Sequence, residues 1–249
     1  MKQIICTLAF ILPCTLHAQT EKEGTIIYEE IIKINISDMP ELEAFAAMIP
    51  KEQRSSKLLY YTNNATLYRN DPSEKEQSTN TIDNGGMKMV MKMDRPEEIV
   101  YKDLVTGKTY EQKEFMGRRF LIEGEVRQPG WKLGTGTKSI AGYPCRDAVL
   151  IKDKDTINAW FTTAIPIASG PYTLSGLPGM ILEANIGNRV QVVAKEIKST
   201  ANLSMLKKPG SGKKISAGDF EKMVKEKTKE MEQLQGGNGN RVFIHREVH

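Results

Sequence analysis

Short runs in which apolar and polar side chains alternate, parted by turn residues about every eight to twelve positions, dominate this chain and predict an all-β architecture. Gly24 to Asn35 is a long strand with apolar residues on both faces in places. Asp38 to Ile49 reads differently, because Leu42, Phe45, Ala46 and Ile49 fall at helical spacing, with Pro40 in the first turn and Pro50 as the stop. A short helix is expected there. Leu58–Thr62 and Ala65–Arg69 form a hairpin across Asn63-Asn64, whose side chains suit the left-handed region of a tight turn. Asn70 to Gly86 is polar and predicts a loop. From Met87 the alternation resumes with Met87, Met89, Met91 and Met93 on one face, a stripe that fits half-buried core. Glu97–Tyr101 and Lys108–Phe115 pair about Thr106-Gly107, and Arg119–Ile122 continues the meander toward Trp131.

The densest stretch runs from Ala141 to Ile186. Cys145–Ile151 and Thr156–Thr162 form a hairpin about Lys152-Asp153-Lys154-Asp155, and a proline- and glycine-punctuated crossing follows. In Leu177-Pro178-Gly179-Met180 the proline presets φ at the second position and the glycine supplies positive φ at the third, which predicts a type II turn. Met180–Ile186 leaves it as a strand and pairs with Arg189–Ile197 across Gly187-Asn188. Lys207 to Lys214 reads as a linker, within an expected flexible segment near 207–215. An amphipathic helix then starts at Ser216, its N-cap, with Asp219 three residues on, and stops at Gly236-Gly237. Arg241 to His249 is a short basic strand or a loose end.

Gly142-Tyr143-x-Cys145, Ala159-Trp160-Phe161-Thr162, Ile165-Pro166, Gly170-Pro171-Tyr172 and Gly176-Leu177-Pro178-Gly179-Met180-Ile181, in this order, resemble the GLPGLI family. Its members are secreted proteins of Bacteroidetes-type bacteria with no established activity. Met180 stands where leucine is usual, a volume-conserving exchange. The resemblance implies a secreted β-rich domain and points to Gly176–Ile181, Tyr143, Trp160 and Tyr172 as the residues to examine for a ligand rim.

Compartment follows from the first residues. Met1-Lys2 is a positive start, Ile4–Leu16 an apolar run and Leu16-His17-Ala18 a cleavage context, so residues 1–18 are expected to be a signal peptide and 19–249 one β-rich domain. Pro13 before Cys14 argues against a lipid anchor, and the apolar run is too short to span a membrane. Cys6 and Cys14 leave with the leader, and Cys145 remains alone and is expected to be buried. The formal charge of +4 is too small and too dispersed for nucleic acid.

Catalytic templates are sparse. No G-x-S-x-G pentapeptide occurs, and a leader cut leaves only His245 and His249, so neither a histidine base nor a metal set is indicated and no cofactor is expected. Gly134–Ser139, GTGTKS, lacks phosphate-loop spacing and reads as a strand-connecting turn. Asp147, Asp153, Asp155 and Glu183 could supply an acid and base pair. Asp155-Thr156-Ile157 is similar to an O-glycosylation acceptor of Bacteroides-type periplasms, at Thr156.

The chain is thus expected to be a mainly β, antiparallel barrel-like or half-barrel sheet carrying a short helix in its first half and an amphipathic helix at its end. It is expected in the periplasm or envelope as a non-catalytic binding module for an apolar or glycan-containing ligand on its concave face. Two alternatives stand beside this: a carboxylate-dependent hydrolase using Asp147, Asp155 and Glu183, and an accessory partner of an outer-membrane complex docking through the C-terminal helix.

Overall fold

The computed structural model describes residues 23–35, 49–74, 79–84, 87–92, 97–152 and 155–235. The expected signal peptide, the helix expected over Asp38–Ile49 (but for Ile49, in a bend) and the segment after Gln235 lie outside them. In chain order the strands are β1 (Glu23–Lys33), β2 (Glu52–Thr62), β3 (Ala65–Asn70), β4 (Thr79–Asn84), β5 (Met87–Lys92), β6 (Ile99–Asp103) and β7 (Lys108–Phe115). There follow β8 (Arg118–Glu125), β9 (Lys132–Ile140), β10 (Tyr143–Lys152), β11 (Asp155–Thr162), β12 (Met180–Ile186), β13 (Val190–Lys198) and β14 (Lys213–Ser216), then helix α1 (Ala217–Gln235). Twelve strands make one sheet in the order β14-β8-β7-β6-β3-β2-β1-β13-β12-β11-β10-β9, and β4 and β5 make a separate pair. Neighbours run antiparallel except β14, which lies parallel to β8.

The sheet is open, with β14 and β9 as its edges, so it is not a closed barrel. Nor is it flat. β8 and β9 stand ten places apart, about 48 Å if laid out at strand spacing. The link Val126–Trp131 joins them and spans at most about 25 Å even when extended. The sheet must therefore roll up until its two ends approach.

The inside of the roll is filled by the chain itself. β11 and β12 are adjacent strands, yet residues 163–179 between them fold over the inner face as a long Ω-like loop rather than a hairpin turn. From this plug Ile165, Tyr172, Leu174 and Leu177 pack against Tyr28, Leu59, Tyr68 and Val100 from the first half of the sheet. Tyr68 and Tyr172 rings sit 5.0 Å apart, and the Tyr28 hydroxyl donates to the Ile181 carbonyl at 2.7 Å. The plug is then pinned by a buried cation. Lys102 Nζ, on β6, donates to Ser169 Oγ at 3.2 Å and to the carbonyls of Gly170 and Leu174 at 2.9 and 2.6 Å. On the link, Trp131 Nε1 donates to the Ser175 carbonyl and Ser175 Oγ donates to that of Arg127.

A second segment covers the outside. Residues 199–212 carry the chain from β13 to β14 across the outer face, where Met205 and Leu206 pack on Leu58, Tyr60 and Leu67, and Lys208 Nζ lies 3.3 Å from the Tyr110 ring centroid. Beyond β14 the chain returns to the other face: α1 lays Phe220 and Val224 on Phe115, Phe120 and Ile122, which share the inner face with Val100 through the Val100–Glu111–Ile122 register. Ser216 Oγ accepts from the Asp219 N–H at 3.1 Å, the expected cap.

Several expectations change. Asn63 and Asn64 do not adopt positive φ; instead Thr62 Oγ1 accepts from the N–H groups of Asn64 and Ala65. Thr79–Asn84, expected as loop, is a strand because it pairs with Met87–Lys92. Lys213–Ser216, which overlaps the end of the expected linker and runs into the expected cap, is β14, since it satisfies the free edge of β8. Gly134–Ser139 is not a turn but lies inside the edge strand β9.

The type II turn is also replaced. Gly179 N–H donates to the Leu177 carbonyl at 2.8 Å, a three-residue turn about Pro178, while Met180 N–H reaches across to Ile165 O at 3.0 Å. Gly179 has φ of 154°, and a Cβ there would sit on the Thr162 carbonyl oxygen. Gly179→Ala is expected to cost about 2 kcal/mol or more in urea unfolding, since backbone must move; an unchanged midpoint would remove this turn geometry.

Lys102 gives a second expectation. Burial lowers its pKa to about 7 from 10.5, so the folded chain gives up the proton near pH 7 while the unfolded chain keeps it to about 10.5. The charging penalty is fully present below about pH 7 and fades as pH rises to 10.5. Lys102→Met strands the acceptors on Ser169, Gly170 and Leu174 and is expected to destabilise by about 2 kcal/mol near neutrality. The stability difference between wild type and variant should widen from pH 7 to 10 in parallel denaturation series.

Candidate functional site

The polar chemistry of the expected core stretch gathers on the outer face of β9–β12, with Asp147 and Trp160 half-exposed and Glu183 buried. Asp147, Trp160 and Glu183 are direct cross-strand partners on β10, β11 and β12, so a carboxylate flanks the indole on each side. Lys138, from β9, lies over the Trp160 ring at 4.4 Å and donates to Glu183 Oε2 at 2.6 Å. Glu183 Oε1 accepts from Asn185 Nδ2 at 3.2 Å. Asp147 Oδ1 accepts from the Gly136 N–H at 2.7 Å, which satisfies the backbone where the β9–β10 register slips.

This arrangement explains the GTGTK run. A Cβ on Gly134 would collide with the Asp147 carboxylate, and one on Gly136 would press on both Asp147 and Trp160 at about 3.1–3.2 Å. The glycines let the edge strand close over two large side chains. The alternation of Gly134, Gly136 and Lys138 along one face was the available signal for a strand here.

The expected rim residues separate into two groups. Leu177, Met180 and Ile181 are buried in the core, as is Tyr172, which sits at φ of 50° with its hydroxyl buried and without a hydrogen bond. Gly179 is buried too, Gly176 packs against Pro129 and only Pro178 of the hexapeptide is exposed. The hexapeptide is thus the root of the plug, and it cannot rim a concave mouth because the plug occupies the concave side. Tyr143 and Trp160 remain half-exposed, and Thr156 is exposed at the start of β11. Asp155 opens β11, away from the Asp147–Glu183 row. Lys102 and Lys138 escaped the sequence reading, since an isolated lysine in a strand looks like a solvated one.

Cys145 is buried beside this face, and burial pushes its thiol pKa up to about 11, with the Ile140 backbone and then Lys138 pulling the other way. Among the described residues no three His, Cys, Asp or Glu side chains cluster, and no helix is long and apolar enough to cross a membrane.

A family model described as a protein of unknown function (Porph_ging), associated with Bacteroidetes, matches residues 150–183. That span is the end of β10, all of β11, the plug and the first residues of β12, and it includes the hexapeptide. No curated protein matches the chain. Among solved structures the chain is similar to PNGF-II in its P21 crystal form, at 15% identity and a TM-score of 0.56, over 82% of this chain and 33% of that one. The C2 form gives 15% identity and a TM-score of 0.53 over the same shares. The chain spans about a third of PNGF-II, and at this identity the likeness is one of fold.

Because the Cys145 thiol is buried and its thiolate disfavoured, native protein should leave it unlabelled by a thiol reagent that reacts at once after denaturation. Rapid labelling of the native form would contradict the burial.

Proposed function

We propose that this chain is a secreted, GLPGLI-type envelope module without catalysis of its own, which takes a glycan-containing ligand on the outer face of β9–β12. The observation that carries this reading is the Asp147–Trp160–Glu183 row, a half-exposed indole held between two carboxylates. A sugar ring presents C–H groups to an aromatic face and hydroxyls to charged acceptors at its rim, and Lys138 can swing off the ring to admit it. A wholly apolar ligand on the concave face is less favoured, because Tyr172, Leu174 and Leu177 fill that space.

The competing readings have less support. Asp147 and Glu183 are committed to the Gly136 N–H and to Lys138 and Asn185, which suits a scaffold better than an acid and base pair. The apolar side of α1 is turned onto Phe115, Phe120 and Ile122, away from a docking partner. The fold likeness to one third of a longer chain fits a module. Removal of residues 1–18 and residence in the periplasm or envelope belong to the same proposal, as does Thr156 as an exposed O-glycosylation acceptor.

Native mass spectrometry of protein from its source cells, beside the same protein refolded from denaturant, tests the reading. A glycan mass retained before refolding is expected, and Trp160→Ala should weaken rebinding of that glycan about tenfold or more. No retained mass, or rebinding indifferent to Trp160, would sink it. A covalent sugar increment on the Thr156 peptide, absent in Thr156→Ala, reports on the acceptor.

A further inference from the structure

Charge around the Trp160 indole does not balance. Asp147 on β10 and Glu183 on β12 stand directly beside it across the strands, each about 5 Å away by strand spacing. Between them they hold one cation. Lys138 Nζ sits 4.4 Å from the ring centroid and 2.6 Å from Glu183 Oε2. Glu183 is buried, with 7% of its surface exposed, and a carboxylate so placed needs its cation close. Asp147 is half-exposed, and its Oδ1 accepts from a neutral donor, the Gly136 N–H. Among the described residues it forms no ion pair. The other lysines of this face do not make up the difference. Lys132, exposed opposite Val149, forms no ion pair among the described residues, and Lys195 reaches Glu29 Oε2 at 3.0 Å instead. One negative charge is left in excess beside an aromatic face that already seats an ammonium.

We propose, resting on the glycan reading of the Trp160 row, that the ligand is an amino sugar whose free ammonium replaces that of Lys138 on the indole. The lysine shows what the cradle accepts. A protonated amine on a sugar ring lets the C–H face stack on the indole while its charge meets Asp147, which has no cation of its own. Lys138 need only leave the ring. By keeping its bond to Glu183 it spares that buried carboxylate from standing unpaired. A neutral N-acetylated sugar would displace the same ammonium from the ring and bring no charge to Asp147. An acidic sugar would meet Asp147 with like charge.

The test is calorimetric titration of purified protein with β-linked oligomers of glucosamine and of N-acetylglucosamine, matched in length, at a mildly acidic pH that keeps the amine charged. The glucosamine oligomer should bind about tenfold or more tighter, and rising salt should weaken it alone. Asp147→Asn keeps an acceptor for the Gly136 N–H and is expected to abolish that preference. Lys138→Gln, whose amide still reaches Glu183, removes the resident cation from the ring and should tighten the glucosamine oligomer several-fold. A residue that merely shaped the strand would weaken both oligomers alike. Melting curves verify the variants, and Asp147→Asn decides alone should Lys138→Gln fail to fold. Equal binding of the two oligomers, or a preference untouched by Asp147→Asn, overturns the amine and leaves the glycan face standing. No binding of either oligomer overturns it as well, and native mass spectrometry then tells whether the glycan face survives. An oligolysine that competes as well as the glucosamine oligomer assigns the cradle to peptides and overturns the sugar.

Discussion

A single buried ammonium decides what kind of object this sheet can be. Lys102 stands on an inner strand where hydrophobic burial alone would place an aliphatic residue, and desolvating its charge is costly. The acceptors that offset that cost all lie on the plug, at Ser169, Gly170 and Leu174, with Thr66 and Ser169 hydroxyls in contact beside them. The lysine and the plug are therefore each incomplete without the other. The remaining packing follows from this contact. With the plug fixed on β6, the three tyrosines from β1, β3 and the plug meet edge-on and tilted in the interior, and the Arg127–Trp131 link lies against Ser175.

The same economy of side-chain use appears on the outside. Asp147, Lys138 and Glu183 are polar residues that would suggest chemistry in a list, yet each first does structural work for the edge strand or for Trp160. A binding surface can be built from such residues without loss, because a ligand that stacks on the indole needs only one lysine to move. A catalytic centre would need those carboxylates released.

Strand content was legible because alternation and turn residues are local. The hairpins about Gly107 and Gly187 and the β10–β11 pair stand where the sequence puts them, and the Ser216 cap is where a capping residue should be. What escaped was non-local. Gly134 and Gly136 look like turn formers until Asp147 and Trp160 are placed beneath them, and Lys102 looks solvated until the plug arrives. The hexapeptide misled for a similar reason. A proline and glycine pair announces a turn, but whether that turn faces solvent or roots a loop in the core depends on Thr162 and Ile165, which approach Gly179 and Met180 through tertiary structure.

The position of β1 in the sheet sets the order in which the molecule can become whole. It is hydrogen-bonded to β2 on one side and to β13 on the other, with Thr25 opposite Lys198. Until β13 is available, a growing chain carries β1 as an unpaired edge whose inner face displays Ile26 and Tyr28. Such an edge is an aggregation hazard, and the long sequence separation of its partner slows its closure. Closing that edge waits for a partner about 170 residues further along the chain, the separation of Thr25 from Lys198.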